Sequence, residues 1–153
     1  MIKTLNTKES LKLLENNYIG YLGYVYGNCP YIIPMTYYFN KENNSVICYS
    51  AKGHKIKAMR KNNDISLGVT EIESANNWRS ILVHGTYEEL KGSNIKHELH
   101  TFSMGVKNII KQKENRDVDF ISDFSSKIYL DDLPIAFLIK INEITGKERS
   151  FRH

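Results

Sequence analysis

The sequence predicts a mainly β domain with three helices, its strands antiparallel and closed into a small barrel. Three observations carry this. About six segments alternate apolar and polar residues with the period of a strand. Glycines fall inside them at Gly20, Gly23 and Gly85, where strands bend sharply or neighbours come close. The segments are joined by short polar turns, the pattern of antiparallel neighbours. At 153 residues, 41% hydrophobic and 25% charged, the chain suits one folded domain spanning residues 1–153.

The elements follow in order. Asn6 can cap a helix, with Glu9 three residues on as in a capping box. Leu11 and Leu14 share a face, and Asn16-Asn17 closes that helix. Tyr18 to Tyr26 reads as a strand with Gly20, Leu22 and Tyr24 on one face and Ile19, Tyr21 and Val25 on the other. Gly27-Asn28-Cys29-Pro30 is a turn. Tyr31 to Phe39 is a second strand, and Pro34 inside it demands an edge, a bulge or a break in pairing. Asn40 to Ser45 is a hairpin loop, and Val46 to Ser50 a third strand. These three strands read as a meander. A basic helix from His54 ends at Asn62-Asn63-Asp64. Ile65 to Ile72 and Trp78 to Leu90 are strands, the second bent at Gly85. Asn94 to Lys113 is the longest helix, with the stripe Ile95, Leu99, Phe102, Val106, Ile109 and Ile110. Glu114 to Asp132 is a polar connector with a short helix near Phe120 to Phe124. Ile135 to Ile144 is the last strand, Thr145 to Glu148 a turn, and Arg149 to His153 a basic tail.

Composition excludes several functions. A net charge of +4 suits an anionic ligand but is too diffuse for nucleic acid. Cys29 and Cys48 have neither metal-ligand nor disulfide spacing, and no metal site is expected. His97 and His100 lie three apart on a helix, but no third ligand completes a site; exposed histidines are the plain reading. No long apolar stretch follows Met1, so neither export signal nor membrane helix is expected, and a cytoplasmic protein follows. Nucleotide-loop, serine-hydrolase and zinc-protease motifs are missing. The acidic pairs Glu88-Glu89 and Asp131-Asp132 sit at element ends and read as solvated.

One stretch does carry chemistry. From Val46 to Arg60 an apolar strand passes through Ser50-Ala51-Lys52-Gly53 into a helix bearing Lys55, Lys57 and Arg60. A helix start offers free backbone N–H groups and the positive end of its dipole, so lysines beside it suit a phosphate. The same residues also describe an ordinary strand–turn–helix with a solvated basic face. His54, at the helix start, is the best single candidate for contact with a ligand; a solvent-facing or capping histidine is the alternative.

Several blocks together resemble a known family. They are Tyr31-Ile32-Ile33-Pro34-Met35-Thr36-Tyr37, Val46 to Ala51, Gly53-His54-Lys55, and Trp78-Arg79-Ser80 through Gly85. In this order the chain is similar to the pyridoxamine 5′-phosphate oxidase-like superfamily of FMN-binding split barrels, nearest its nitroimidazole-resistance branch. The resemblance implies a six-stranded antiparallel split barrel with peripheral helices, forming a homodimer with FMN at the subunit interface. It implies that Pro34, Met35, Thr36 and Tyr37 line the isoalloxazine, and that Tyr49, Ser50 and Ala51 pass beneath the ribityl chain. Lys55 would hold the phosphate, and Trp78, Arg79 and Ser80 would approach the flavin from the partner subunit. His54 would be the catalytic group facing a small aromatic or nitro-compound substrate. The C-terminal Trp-and-Arg pattern of true pyridoxamine phosphate oxidases is missing, and Arg149 and Arg152 lack its context. The implied activity is FMN-dependent oxidoreduction. A non-catalytic flavin carrier and a haem- or deazaflavin-binding relative of the same fold stand as alternatives, with His54 or His84 as the haem ligand.

Overall fold

The computed structural model describes residues 1–115 and 135–150. In chain order these form β1 (Ile2–Leu5), α1 (Thr7–Glu15), β2 (Ile19–Tyr26), β3 (Cys29–Thr36), β4 (Tyr38–Asn40), β5 (Ser45–Ser50), α2 (His54–Lys61), β6 (Asp64–Ser74), β7 (Asn77–Glu89), α3 (Asn94–Glu114) and β8 (Ile135–Arg149). The helix expected near Phe120 to Phe124 lies outside the described residues, as do Asp131, Asp132 and Arg152. No helix among the described residues is long and apolar enough to cross a membrane.

All strands belong to one antiparallel sheet in the order β3-β2-β6-β7-β8-β5-β4, with β1 paired to the end of β8. The two edge strands, β3 and β4, are consecutive in the chain and separated by Tyr37 alone. The sheet therefore curls until its edges meet through a covalent link, which makes it a split barrel with peripheral helices. Strands among the described residues number eight, against six expected. β1 is too short to show a period in the sequence, and it forms because the end of β8 offers it a partner from Gly146 to Arg149. The expected strand Tyr31 to Phe39 divides at Tyr37.

That division corrects the expected meander. β3 pairs with β2, whereas β4 pairs with β5, at the other end of the sheet. Tyr37 turns its backbone N–H to the Tyr18 carbonyl at 2.8 Å instead of continuing either ladder. Pro34 is tolerated because β3 is an edge strand, bonded on one side only. A second correction concerns Thr145 to Glu148, expected as a turn. β8 runs straight through it, because β7 pairs with it on one side and β1 on the other.

The inward faces of the strands make the main core. Leu22, Leu67, Val83 and Phe137 are fully buried there, as the alternation predicts. Leu13 and Leu14 of α1 and Ile56 and Met59 of α2 extend the same core. Each such side chain stabilises the fold by about 1.5–3 kcal/mol on burial. A smaller core lies outside the sheet, where Phe102, Val106 and Ile110 of α3 cover Ile47. Val46 and Cys48 face the barrel and Ile47 faces α3, so β5 is buried on both sides and reads as an unbroken apolar run. The N-terminus of α1 is capped as expected, with the Asn6 side chain accepting from the Glu9 amide at 2.8 Å.

Gly85 sits where the β7–β8 register shifts. A Cβ there would lie 2.6 Å from both the Lys140 carbonyl oxygen and an Ile139 methyl. Backbone cannot yield as a side chain tip can, so Gly85→Ala is expected to cost about 1–3 kcal/mol of stability. Urea unfolding measures this, and an unchanged midpoint would show that the bulge absorbs a methyl group freely.

Candidate functional site

The start of α2 presents open polar backbone. β5 ends at Ser50, and Ala51, Lys52 and Gly53 lead into the helix, all exposed. Gly53 is the N-cap, in extended backbone and with no side chain to cap the helix. The first helical bond runs from the Lys57 amide to the Gly53 carbonyl at 3.1 Å. The amides of His54, Lys55 and Ile56 therefore have no acceptor inside the helix. With the helix dipole behind them, they form a positive end free to meet an anion.

Two anchors hold α2 in place. Ile56 and Met59 are buried in the barrel core. Arg60 forms a two-pronged pair with Glu89 at the end of β7, Nε to Oε1 at 2.8 Å and Nη2 to Oε2 at 3.1 Å. The Tyr87 hydroxyl donates to the same carboxylate at 2.7 Å. Hydrogen bonding from Arg60 is the main cause that lowers the Glu89 carboxyl below its ordinary range, against an opposing push from burial. Burial, then the bond to Glu89, pushes the Tyr87 phenol well above its range. Glu89 is thus part of a network and not the solvated end residue expected; only Glu88 is well exposed, paired with Lys140 at 3.0 Å.

Beside this helix start lies a cleft of about 210 Å³ lined by Pro34, Met35, Thr36, Tyr49, Ser50 and Lys55. These are six of the residues singled out in the sequence, drawn from β3, β5 and α2. They come together because the β3 edge curls round toward the β5 side of the sheet. The Tyr49 ring packs edge-on against Phe102 at 5.0 Å, and burial raises its phenol. The Ser50 hydroxyl donates to the Ala51 carbonyl at 2.9 Å, which ties down the turn next to the cleft.

The other expected residues lie elsewhere. Tyr37 is buried, its hydroxyl donating to the Leu14 carbonyl at 2.7 Å. Trp78, Arg79 and Ser80 sit on β7, away from this cleft. Trp78 pairs with Ile72 and Ser80 with Thr70 on the outward face. Arg79 points the opposite way, bonded to Glu71 at 2.9 Å and lining a larger groove beside α1. That groove, about 820 Å³, holds no other predicted residue.

His54 does not line the cleft either. Its Nδ1 is 3.1 Å from the Tyr24 hydroxyl. The rings of Tyr26 and Tyr31 meet it edge-on, each at 4.8 Å, and Tyr31 stacks on Tyr24 at 5.3 Å. These three tyrosines were not singled out in the sequence. The signal was present in the crowding of tyrosines from Tyr18 to Tyr49, but which of them share a face with His54 depends on β2–β3 pairing. His97 and His100 are exposed on α3.

The outward face of β3, β2, β6 and β7 carries exposed apolar side chains, interspersed with Ser66, Thr70, Ser80 and His84. Ile32 is 74% and Ile72 70% exposed, with Ile19, Tyr21, Val25 and Leu82 also open on this face. The register puts Tyr21 beside Pro34, Gly68 and Leu82 in one row, so the cleft residue Pro34 belongs to this surface.

Comparison with known proteins agrees with this architecture. Residues 6–148 match the family model described as pyridoxamine 5′-phosphate oxidase. An uncharacterised protein of Rhizobium meliloti is 31% identical over 121 residues, 77% of this chain and 76% of that protein. The crystal structure of a FAD-binding protein from Mesorhizobium loti superposes with a TM-score of 0.71 at 25% identity, covering 99% of this chain and 98% of that one. A candidate 5-nitroimidazole antibiotic resistance protein from Bacteroides thetaiotaomicron, 14% identical, shares the fold at a TM-score of 0.66 over 97% of this chain and 89% of that one.

The Arg60–Glu89 pair gives the anchoring of α2 a pH dependence. The folded Glu89 carboxyl lies below its unfolded value of about 4.3. Its contribution is therefore complete above that value and is lost as pH falls through the folded one. Glu89→Gln should be less stable than wild type at neutral pH, and the gap should close in acid. Denaturant titrations of both proteins across that range check this; a gap independent of pH would show that the charge on Glu89 contributes nothing.

Proposed function

We propose that this chain, which belongs to the pyridoxamine 5′-phosphate oxidase family, binds a flavin mononucleotide and works as a flavin-dependent oxidoreductase. The observation that carries the reading is the cleft at the open start of α2. Its residues fit the group. Lys55 and the unbonded amides of the first helical turn suit a phosphate, and Thr36 and Ser50 supply polar atoms along the wall. Pro34 and Met35 offer an apolar surface for a flat ring, and Ala51 begins the turn just after β5 ends at Ser50. Bound there, the flavin would supply the electron transfer; the protein supplies position and electrostatics. His54, one residue from Lys55, would meet a small aromatic or nitro-compound acceptor, to orient it or give it a proton. The acceptor class rests on the resemblance of Gly53-His54-Lys55 to the nitroimidazole-resistance branch.

The cleft is smaller than the roughly 300–1,000 Å³ of complete ligand sites. A second copy of the chain, docked on the apolar face that includes Pro34, would complete it. An isologous dimer buries such a face and makes two equivalent sites. Trp78 and Ser80 lie on that face and are the β7 residues that a partner would bring to the flavin. Arg79 would join them only by leaving Glu71.

The absorption spectrum of the purified protein is the first test. Flavin bands support the reading, a Soret band favours a haem protein of the same fold, and failure to take up added FMN overturns it. Bleaching of bound flavin by NADH or NADPH, followed by reoxidation with a nitroimidazole, separates an enzyme from a carrier.

Lys55→Ala should weaken FMN binding roughly 10- to 100-fold, as expected for loss of a charge-assisted hydrogen bond. Riboflavin, which has no phosphate, should bind both proteins alike. Flavin fluorescence titration reads both, and equal FMN affinity would remove Lys55 from the phosphate site. For the dimer, Ile32→Glu places a charge on the apolar face. Sedimentation should show a dimer for wild type and a monomer for the variant, with flavin affinity falling together with assembly. A monomeric wild type that binds FMN fully would refute the shared site.

A further inference from the structure

We propose that Tyr24 is the positioning residue for His54, holding the neutral imidazole with its proton on Nε2. The inference rests on the reading of His54 as the group that meets the substrate. His54 opens α2 and is exposed, yet its ring is confined on several sides. Tyr24 reaches Nδ1 with its hydroxyl at 3.1 Å, and Tyr26 and Tyr31 close on the ring edge-on. Tyr24 itself is fixed, being 6% exposed and stacked on Tyr31 with the planes 11° apart. Its hydroxyl therefore cannot follow the histidine, and the histidine must come to it.

The direction of this hydrogen bond follows from the two groups. A phenol is a good donor, and a neutral imidazole nitrogen is a better acceptor than a phenol oxygen. Tyr24 thus donates to Nδ1, which leaves the imidazole proton on Nε2. Among the described residues nothing is hydrogen-bonded to Nε2. His54 then presents one fixed N–H donor to whatever approaches the helix start. A donor of this kind stabilises negative charge developing on the oxygen of a nitro or carbonyl group, which an imidazole with mixed tautomers does less well. The role asks nothing more of Tyr24 than the hydroxyl, since the ring packing would survive its loss.

The test is ¹⁵N spectroscopy of the His54 ring in the flavin-free protein, at a pH where the imidazole is neutral. Protonated and unprotonated ring nitrogens have distinct shifts. In wild type the Nε2–H tautomer should dominate. In Tyr24→Phe its ratio to Nδ1–H should fall roughly 2- to 10-fold, the net worth of one neutral hydrogen bond. Tyr26→Phe keeps both the ring contact and the Tyr24 bond, and should leave the ratio unchanged. A dominant Nδ1–H form in wild type, or a ratio unmoved by Tyr24→Phe, would overturn the proposal. If Tyr24→Phe does not fold, the wild-type ratio is set against that of the exposed His97 and His100, since free histidine already favours Nε2–H; a ratio no higher than theirs overturns the proposal. The outcome is independent of the flavin reading: a protein that takes up no flavin fails that reading with the tautomer result intact. An unmoved ratio alongside Lys55-dependent FMN binding fails only the positioning role.

Discussion

The crossing at Tyr37 is the constraint on which the rest depends. One residue separates β3 from β4, yet those strands lie at opposite ends of the sheet order. A chain can do this only if the sheet has curled until the two edges are a residue apart. Tyr37 is fixed from three directions. Its backbone N–H is bonded to the Tyr18 carbonyl, its ring is fully buried, and its hydroxyl donates to Leu14 in the last turn of α1. That carbonyl is one of the four a helix leaves without an internal partner, so the bond satisfies a buried donor and an orphan acceptor at once. Burial raises the phenol far above its ordinary range, with Cys48 adding to the effect, so the donor does not ionise at any ordinary pH. The closure brings Pro34, Met35 and Thr36, just before the crossing, next to Tyr49 and Ser50.

The same closure explains how an eight-residue helix can carry a site. Isolated helices of this length do not form in water. α2 is held by what it buries, Ile56 and Met59, and by the Arg60–Glu89–Tyr87 network at its far end. Its first turn is then left open without unravelling. Among the described residues no side chain caps that end, and its own first turn holds no acidic residue. With glycine at the N-cap, the start forgoes only roughly a few tenths of a kcal/mol that a Ser or Asp at position 53 would supply. So small a loss is readily carried by the burial of Ile56 and Met59.

How far the sequence reveals this varies with the range of the interactions. Alternation in β2, β6 and β7 gives the buried faces directly, because one side of those strands packs on the barrel and the other does not. The block from Ser50 to Lys55 is legible for the same local reason: a strand, small residues and a basic helix follow one another without interruption. β1 and the end of β8 are not legible, since each is a strand only through the other and through β7. The split at Tyr37 is hidden too. Nothing at that position breaks the apolar pattern, and Pro34, which does, lies inside β3. Glu89 reads as a surface residue until its pairing with Arg60, 29 positions away, is known. The tyrosines around His54 depend on β2–β3 register in the same way.

The structure also separates two side chains that adjacent letters join. His54 and Lys55 are neighbours in sequence, and a Gly-His-Lys string invites one ligand for both. Consecutive residues on a helix, however, point about 100° apart. Lys55 turns to the cleft of β3 and β5, while His54 turns to the tyrosines of β2 and β3. The two proposed roles, holding an anion and presenting a ring N–H, thus fall on different walls of one helix start. The cleft side is governed by charge and by unbonded amides, which would act on a phosphate whatever the state of the histidine. The tyrosine side is governed by hydrogen-bond direction, which leaves the charge of the site unaltered. On the proposed reading the two walls are separable: altering the aromatic wall would leave the contacts offered to a phosphate as they are.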